Sequence, residues 1–141
     1  MSRPPWSHLV TFDRVLELHA DGIRRFSGAT GVRSTDCVES SLGSAWSAQL
    51  YMDEEQLGFP LTFATYLFVY ITKNHCFEDG NKRLGWYVLG ETLGRMGLTI
   101  EASDDEATDF VMGVAAQQPP NYPAVQNWIA QRLIAAPGAE S

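Results

Sequence analysis

Apolar residues recur at helical spacing along most of the chain. Val15, Leu16, Leu18, His19 and Ile23 form one stripe, which predicts a first helix from about Phe12 to Phe26 with Thr11 placed to cap it. Gly28 and Gly31 then mark a loop. Val38, Leu42, Trp46 and Leu50 give a second helix its stripe from near Thr35, and Asp36 with Glu39 has the spacing of a capping box. Leu61 to Asn74 is apolar nearly all round (Phe63, Ala64, Leu67, Phe68, Ile71), the pattern of a central, buried helix. A fourth helix is expected to open at Gly80 or Asn81 and to end near Met96, with Gly97 as its stop. Gly90 and Gly94 lie four apart on it and predict a close helix–helix approach. Ser103 and Glu106 form a capping box for a fifth helix carrying Phe110, Val111 and Val114. Pro123 starts the last helix, whose stripe is Val125, Trp128, Ile129 and Leu133.

These elements predict an all-α fold, a compact bundle of about six helices with at most a short β-hairpin flap. Residues 1–141 read as one domain, with a core from about 9 to 136 and loose ends at 1–8 and from Pro137 onward. Leu98 to Ala102 reads as a short extended piece, and Met52 to Pro60 as an acidic loop or small hairpin. His8 is expected to be exposed and His19 to be a hydrogen-bonded core histidine. Trp46, Trp86 and Trp128 sit at core positions; Trp86 is also close enough to the loop before the fourth helix to line a pocket there.

Composition narrows the function. The formal net charge is -7 and Lys plus Arg total 10, so a broad electrostatic grip on nucleic acid is not expected. The N-terminus lacks the apolar stretch of a signal peptide, and the richest apolar run, Leu61 to Ile71, is shorter than the roughly 18 residues a bilayer span requires. The expected location is the cytoplasm, away from membranes, with thiols reduced. Cys37 and Cys76 have no zinc-like spacing; a disulfide between them can form, but nothing in the sequence indicates one.

Against that acidic background one run concentrates chemistry: His75-Cys76-Phe77-Glu78-Asp79-Gly80-Asn81-Lys82-Arg83, between two long apolar segments. A helix opening inside it offers unpaired backbone N–H groups and a partial positive charge, which attract phosphate. Gly80 can take a positive φ and lets an anion approach, and Asn81 can add a side-chain N–H. Lys82 and Arg83 add full charges. Asp79 is a carboxylate placed to hold Mg²⁺ beside bound phosphates. His75, neutral near pH 7, can take a proton from a hydroxyl. Phe77 is expected to point into the core and pin the loop. Singly, each residue has an ordinary role as a cap, a core side chain or a solvated cation. Together they point to transfer of a phosphorus group to an alcohol.

The run resembles the motif of the Fic/Doc family, HxFx[DE]GN followed by Gly or Lys and then Arg. His75, Phe77, Asp79, Gly80, Asn81 and Arg83 all match, and the likeness extends over most of the chain. The first half, with Leu16-Glu17-Leu18-His19 and the Gly31-Val32-Arg33 turn, is similar to death-on-curing (Doc) toxins. The resemblance implies His75 as general base toward a Ser or Thr hydroxyl, Asp79 as the Mg²⁺ ligand, and Gly80, Asn81, Lys82 and Arg83 as the loop that binds the phosphates of ATP. The AMP-transferring branch has a second glycine where this chain has Lys82 and a second arginine where it has Trp86. Doc toxins carry lysine at the former place, bind ATP in the reverse orientation and pass its γ-phosphate to a threonine of elongation factor Tu. The resemblance therefore implies a toxin-type protein kinase that blocks translation, with AMP transfer to a protein hydroxyl and a catalytically silent binding module as the alternatives.

Cys76 stands where many members have proline, and reads as a small buried side chain. Thr35 to Ser40 falls one residue short of the family's inhibitory [ST]xxxE[GN] helix, so restraint is expected from a separate antitoxin acting in trans. Met52 to Pro60 occupies the place of the family's target-docking flap.

Overall fold

A computed structural model describes residues 3–26, 28, 31–33, 35–52 and 60–138. The order of elements is α1 (Phe12–Phe26), α2 (Thr35–Met52), α3 (Leu61–Lys73), α4 (Asn81–Arg95), β1 (Leu98–Ile100), α5 (Asp104–Ala116), α6 (Tyr122–Ala130) and β2 (Leu133–Ala135). The expected flap lies almost wholly in residues 53–59, outside the described residues, as do the last three residues of the tail.

Helix α3 is the axis. Ten of its 13 residues are buried, as its all-round apolar pattern requires. One side, Phe63, Leu67 and Ile71, packs with Val15, Val38, Leu42, Phe77 and Leu84 from α1, α2, the motif loop and α4. The other, Leu61, Ala64 and Phe68, packs with Leu89, Leu93, Val111, Val114, Val125 and Ile129 from α4, α5 and α6. Each fully buried large apolar side chain contributes about 1.5–3 kcal/mol, so α3 is fixed more firmly than any surface segment can be. The motif loop begins at its C-terminal end. There Lys73 donates to the carbonyls of Val114, Ala115 and Gln117 at 3.4, 3.1 and 2.5 Å. A cation at the open carbonyls of α5 answers that helix's negative end.

Local signals behave as their chemistry dictates. The Thr11 hydroxyl accepts from Arg14 N–H at 3.1 Å and caps α1. Ser103 and Glu106 form the full capping box of α5. Gly97, at φ +79°, ends α4 in the left-handed conformation that favours glycine.

Four expectations need correction. The last helix stops at Ala130, and Leu133 belongs instead to β2, which pairs antiparallel with β1 in the register Leu98–Ala135, Thr99–Ile134 and Ile100–Leu133. Residues 3–8 are not loose. They coil into turns through Ser7 N–H to Pro4 O and Leu9 N–H to Trp6 O, at 3.0 and 2.8 Å. Trp6 packs on the core. Helix α2 opens at Thr35, so Asp36 sits within its first turn rather than at the cap. Finally, Gly90 and Gly94 face open space. The close approach is at Gly85, where a Cβ would meet Thr72 Oγ1 at 2.2 Å and the Phe68 carbonyl at 3.3 Å.

That contrast is testable by thermal unfolding. Gly90→Ala should raise stability by about 0.5–1 kcal/mol, the ordinary gain on removing a helical glycine. Gly85→Ala should lower it by about 1–3 kcal/mol, because the added methyl drives α4 off α3.

Arg14 ties α1 to α4 by a two-pronged bond to Glu91, Nε to Oε2 at 2.5 Å and Nη2 to Oε1 at 2.9 Å. Its guanidinium holds the Glu91 carboxyl below the ordinary value, chiefly through this hydrogen bond, and is itself raised by the same bond. A carboxylate whose folded pKa is depressed contributes stability above its unfolded value and loses it as pH falls through the folded one. Glu91→Gln should therefore lower the melting temperature at pH 7. The difference from wild type should hold down to about pH 4.5, the unperturbed value, and close below it.

Candidate active site

The motif loop joins the end of α3 to the start of α4. Asn74 closes α3, its N–H donating to Tyr70 O at 2.8 Å. The backbone then turns left-handed at His75, φ +54°, an uncommon conformation for a residue with a Cβ. His75 is exposed, while Cys76 and Phe77 turn inward and are 1% and 0% exposed. The base candidate and its buried anchor thus diverge within three residues.

Several contacts fix that geometry. Phe77 bridges antiparallel to Val32, with Arg33 N–H donating to Cys76 O at 2.8 Å and Glu78 N–H to Gly31 O at 2.9 Å. A Cβ on Gly31 would lie 2.5 Å from the Glu78 carboxyl carbon, the far end of an exposed side chain that can swing aside. The Phe77 ring stacks on His19, centroids 3.9 Å apart. His19 Nε2 donates to the Asp79 carbonyl at 2.9 Å. The buried Asn81 amide closes the loop: its Oδ1 accepts from Phe77 N–H at 3.2 Å and its Nδ2 donates to Phe77 O at 3.0 Å.

Gly80 is the N-cap of α4 at φ +76°, as the turn needs. Its N–H donates to Asp79 Oδ1 at 2.8 Å. Its carbonyl accepts from Leu84 N–H at 2.9 Å, the first bond of the helix. The N–H groups of residues 81–83 therefore have no acceptor within α4.

A cavity of about 340 Å³ opens at this end of the helix. His75, Glu78, Asp79, Gly80, Asn81 and Lys82 line it, with Lys73 and Gln118 behind. The structure thus brings five of the six expected site residues to one cavity and sets the sixth, Arg83, beside it. Arg83 Nη1 donates to Gly22 O at 3.3 Å, and the guanidinium lies over the Phe26 ring, 4.6 Å from its centre. Arg83 lines an adjoining apolar cleft of about 510 Å³ with Phe26, Trp86 and Met112, and Lys82 borders both spaces. Trp86 is half-buried, edge-on to Phe110, and forms part of the cleft wall. Chemically, the cavity offers open amide donors, a cation, carboxylates and an imidazole within a space that a phosphate chain can enter.

Two features of the site escaped the sequence. His19 is a core histidine, as its stripe position suggested, yet its partner is the carbonyl of Asp79, so it positions the loop. The bridge through Val32 had no local signal. A third point is a correction. The two cysteines are not free thiols: Cys37, in the first turn of α2, and Cys76 form a disulfide with Cα atoms 5.4 Å apart. They are 39 residues apart in sequence, and only the packing of α2 against the loop brings them within bridging distance.

Removing the loop's internal clasp should be costly. Asn81→Ala leaves the N–H and C=O of a fully buried residue without their partner, and each such group costs about 1–3 kcal/mol. The melting temperature should fall accordingly, and Asn81→Asp, which keeps the acceptor and loses the donor, should fall between the two.

Against known proteins, the model of the Fic/DOC family matches residues 9–93, more than half of the chain and the whole of the motif loop. No curated protein matches the chain.

Proposed function

The chain belongs to the Fic/DOC family, whose members modify proteins by transfer of AMP or phosphate, and from that premise we propose that it is a protein phosphotransferase of the Doc type. In this reading ATP is the donor, and the acceptor is a Ser or Thr hydroxyl on a cytoplasmic target such as elongation factor Tu. Modification blocks translation, and an antitoxin in trans restrains the enzyme.

The observation that carries the reading is Lys82. It stands in the first turn of α4, on the same cavity as His75 and Asp79, where the AMP-transferring branch has glycine. A lysine there fills the room for an α-phosphate and supplies a cation for a terminal one. Trp86, in place of that branch's second arginine, turns the adjoining cleft from a phosphate site into an apolar wall suited to a base.

Each residue then has a defined task. The open N–H groups of residues 81–83 receive phosphate oxygens, Gly80 gives them room to approach, and Lys82 and Arg83 offset their charge. His75 accepts the proton of the attacking hydroxyl on its imidazole. The acceptor oxygen bonds to the γ-phosphorus, the bond from that phosphorus to the β–γ bridging oxygen breaks, and ADP leaves. Mg²⁺ holds few protein ligands and keeps its remaining contacts for phosphates and water. Among the described residues no group of three or more His, Cys, Asp or Glu could hold a metal. The single carboxylate of Asp79, with Glu78 beside it on the cavity, fits a Mg²⁺ that arrives with ATP and lends it charge neutralisation.

Purified protein should be incubated with a cell lysate and ATP labelled at the γ- or the α-phosphate. Label from γ alone is expected on a single protein, with His75→Ala slower by about 10²-fold or more. Label arriving only from α would replace phosphotransfer with AMP transfer. Mass spectrometry of the labelled protein identifies the acceptor residue.

A further inference from the structure

The disulfide joins the chain next to His75, and its position suggests a task beyond adding stability. His75 lies between Asn74 and Cys76, and both neighbours are tied to the first turns of α2. Cys76 is bonded to Cys37. Asn74 Nδ2 donates to Ser41 Oγ at 3.4 Å, and Ser41 donates in turn to the Cys37 carbonyl at 2.8 Å. The first of these hydrogen bonds is long, so the covalent link is the stronger of the two ties. His75 itself holds a left-handed backbone, φ +54°, that a residue with a Cβ keeps only when its surroundings over-determine it. Backbone hydrogen bonds also hold the flanks, Asn74 N–H to Tyr70 O and Arg33 N–H to Cys76 O, each at 2.8 Å, but neither is covalent, and the remaining contacts, through Phe77, Glu78, Asp79 and Asn81, act downstream of Cys76 on the side of the phosphate cradle.

We propose that the Cys37–Cys76 bridge is a redox-set tether that positions His75, so that a dithiol reductant loosens the base while leaving the cradle at the start of α4 in place. The inference rests on His75 being the base, and it concerns control of that same site. The chemistry is a thiol–disulfide exchange. Cys76 is buried, whereas Cys37 is only partly buried against the core and is the more accessible of the two residues. A thiolate of the dithiol attacks Cys37 Sγ, the sulfur–sulfur bond breaks, and Cys76 leaves as a thiolate that takes up a proton. The second thiol of the reductant then displaces Cys37, giving two protein thiols and an oxidised dithiol. In a compartment kept reducing by thiols, a bridge of this kind is more often regulatory than structural.

Three readouts test the proposal on the full chain, with dithiothreitol as reductant and Cys37→Ser as a permanently open form. Iodoacetamide under denaturing conditions should modify neither cysteine before reduction and both after it. Hydrogen exchange at residues 74–76 should quicken several-fold on reduction and in Cys37→Ser, with the amides of α6 unchanged. Label transfer from ATP into lysate protein should fall several-fold in maximal rate, with the half-saturating ATP concentration unchanged.

Full alkylation without reductant overturns the proposal. So does exchange that ignores reduction, or a loosened loop that transfers label at the original rate. If neither redox form transfers label from either phosphate, the phosphotransfer reading fails by itself. Exchange then decides the tether alone, quickening in its favour and constancy against it.

Discussion

The two hydrogen bonds between the Asn81 amide and the backbone of Phe77 couple the core to the chemistry. Phe77 is fully buried, and its ring is held between the helical core and His19. Its position is therefore set by packing, which resists displacement because interiors are dense. Asn81 is the first residue of α4, so the clasp transmits that position to the end of the helix where the N–H groups open. His19 adds a third tie by holding the carbonyl of Asp79. The backbone of the cavity residues need not be rigid on its own account, since each lies within a residue or two of a position that these contacts fix.

Such an arrangement suits an acidic protein. With a net charge of -7 the surface as a whole disfavours anions, so for the proposed ATP donor any attraction is local. A helix N-terminus supplies fixed partial charge at no cost in side-chain entropy, and Lys82 adds a full charge at the same place. Arg83, seated on Gly22 O and the ring of Phe26, is preorganised at the edge of the neighbouring cleft. Lys82 and Arg83 stand beside the carboxylates of Glu78 and Asp79 on the cavity, and Asp104 from the first turn of α5 borders the adjoining cleft. Local order in the charges, not their sum, makes the site.

The helices were legible because their signals are local: apolar period, a Thr11 or Ser103 cap, a glycine at 97. Gly80 was legible for the same reason, since a motif that opens a helix leaves few residues able to turn there. What escaped depends on distance. Leu133 continues the apolar stripe of α6, yet pairing with Ile100 extends the backbone instead. Gly85 and Gly90 look alike in the sequence; only the seating of α4 on Phe68 and Thr72 separates a required glycine from an indifferent one. Trp6 lies in a stretch rich in proline that reads as a tail, but one large aromatic ring suffices to fold it onto the core. The pairing of Cys37 with Cys76 is the extreme case, because a separation of 39 residues carries no hint of contact.

These distant contacts converge on one short loop. Residues 74–81 receive ties from α1 through His19, from the turn at 31–33, from α2 through Cys37 and Ser41, and from α4 through Asn81. A backbone with no regular hydrogen bonding of its own would otherwise sample many conformers, and the left-handed turn at His75 would be among the less favoured. The ties divide by place. Those on Phe77, Glu78, Asp79 and Asn81 define the cradle, while those on Asn74 and Cys76 flank the imidazole. On the proposed reading, the base and the cradle are held by sets of contacts that meet only at the turn of residues 31–33, so a change at α2 can alter the base without dismantling the cradle. Only the second set includes a covalent bond whose making and breaking depends on the surroundings of the protein.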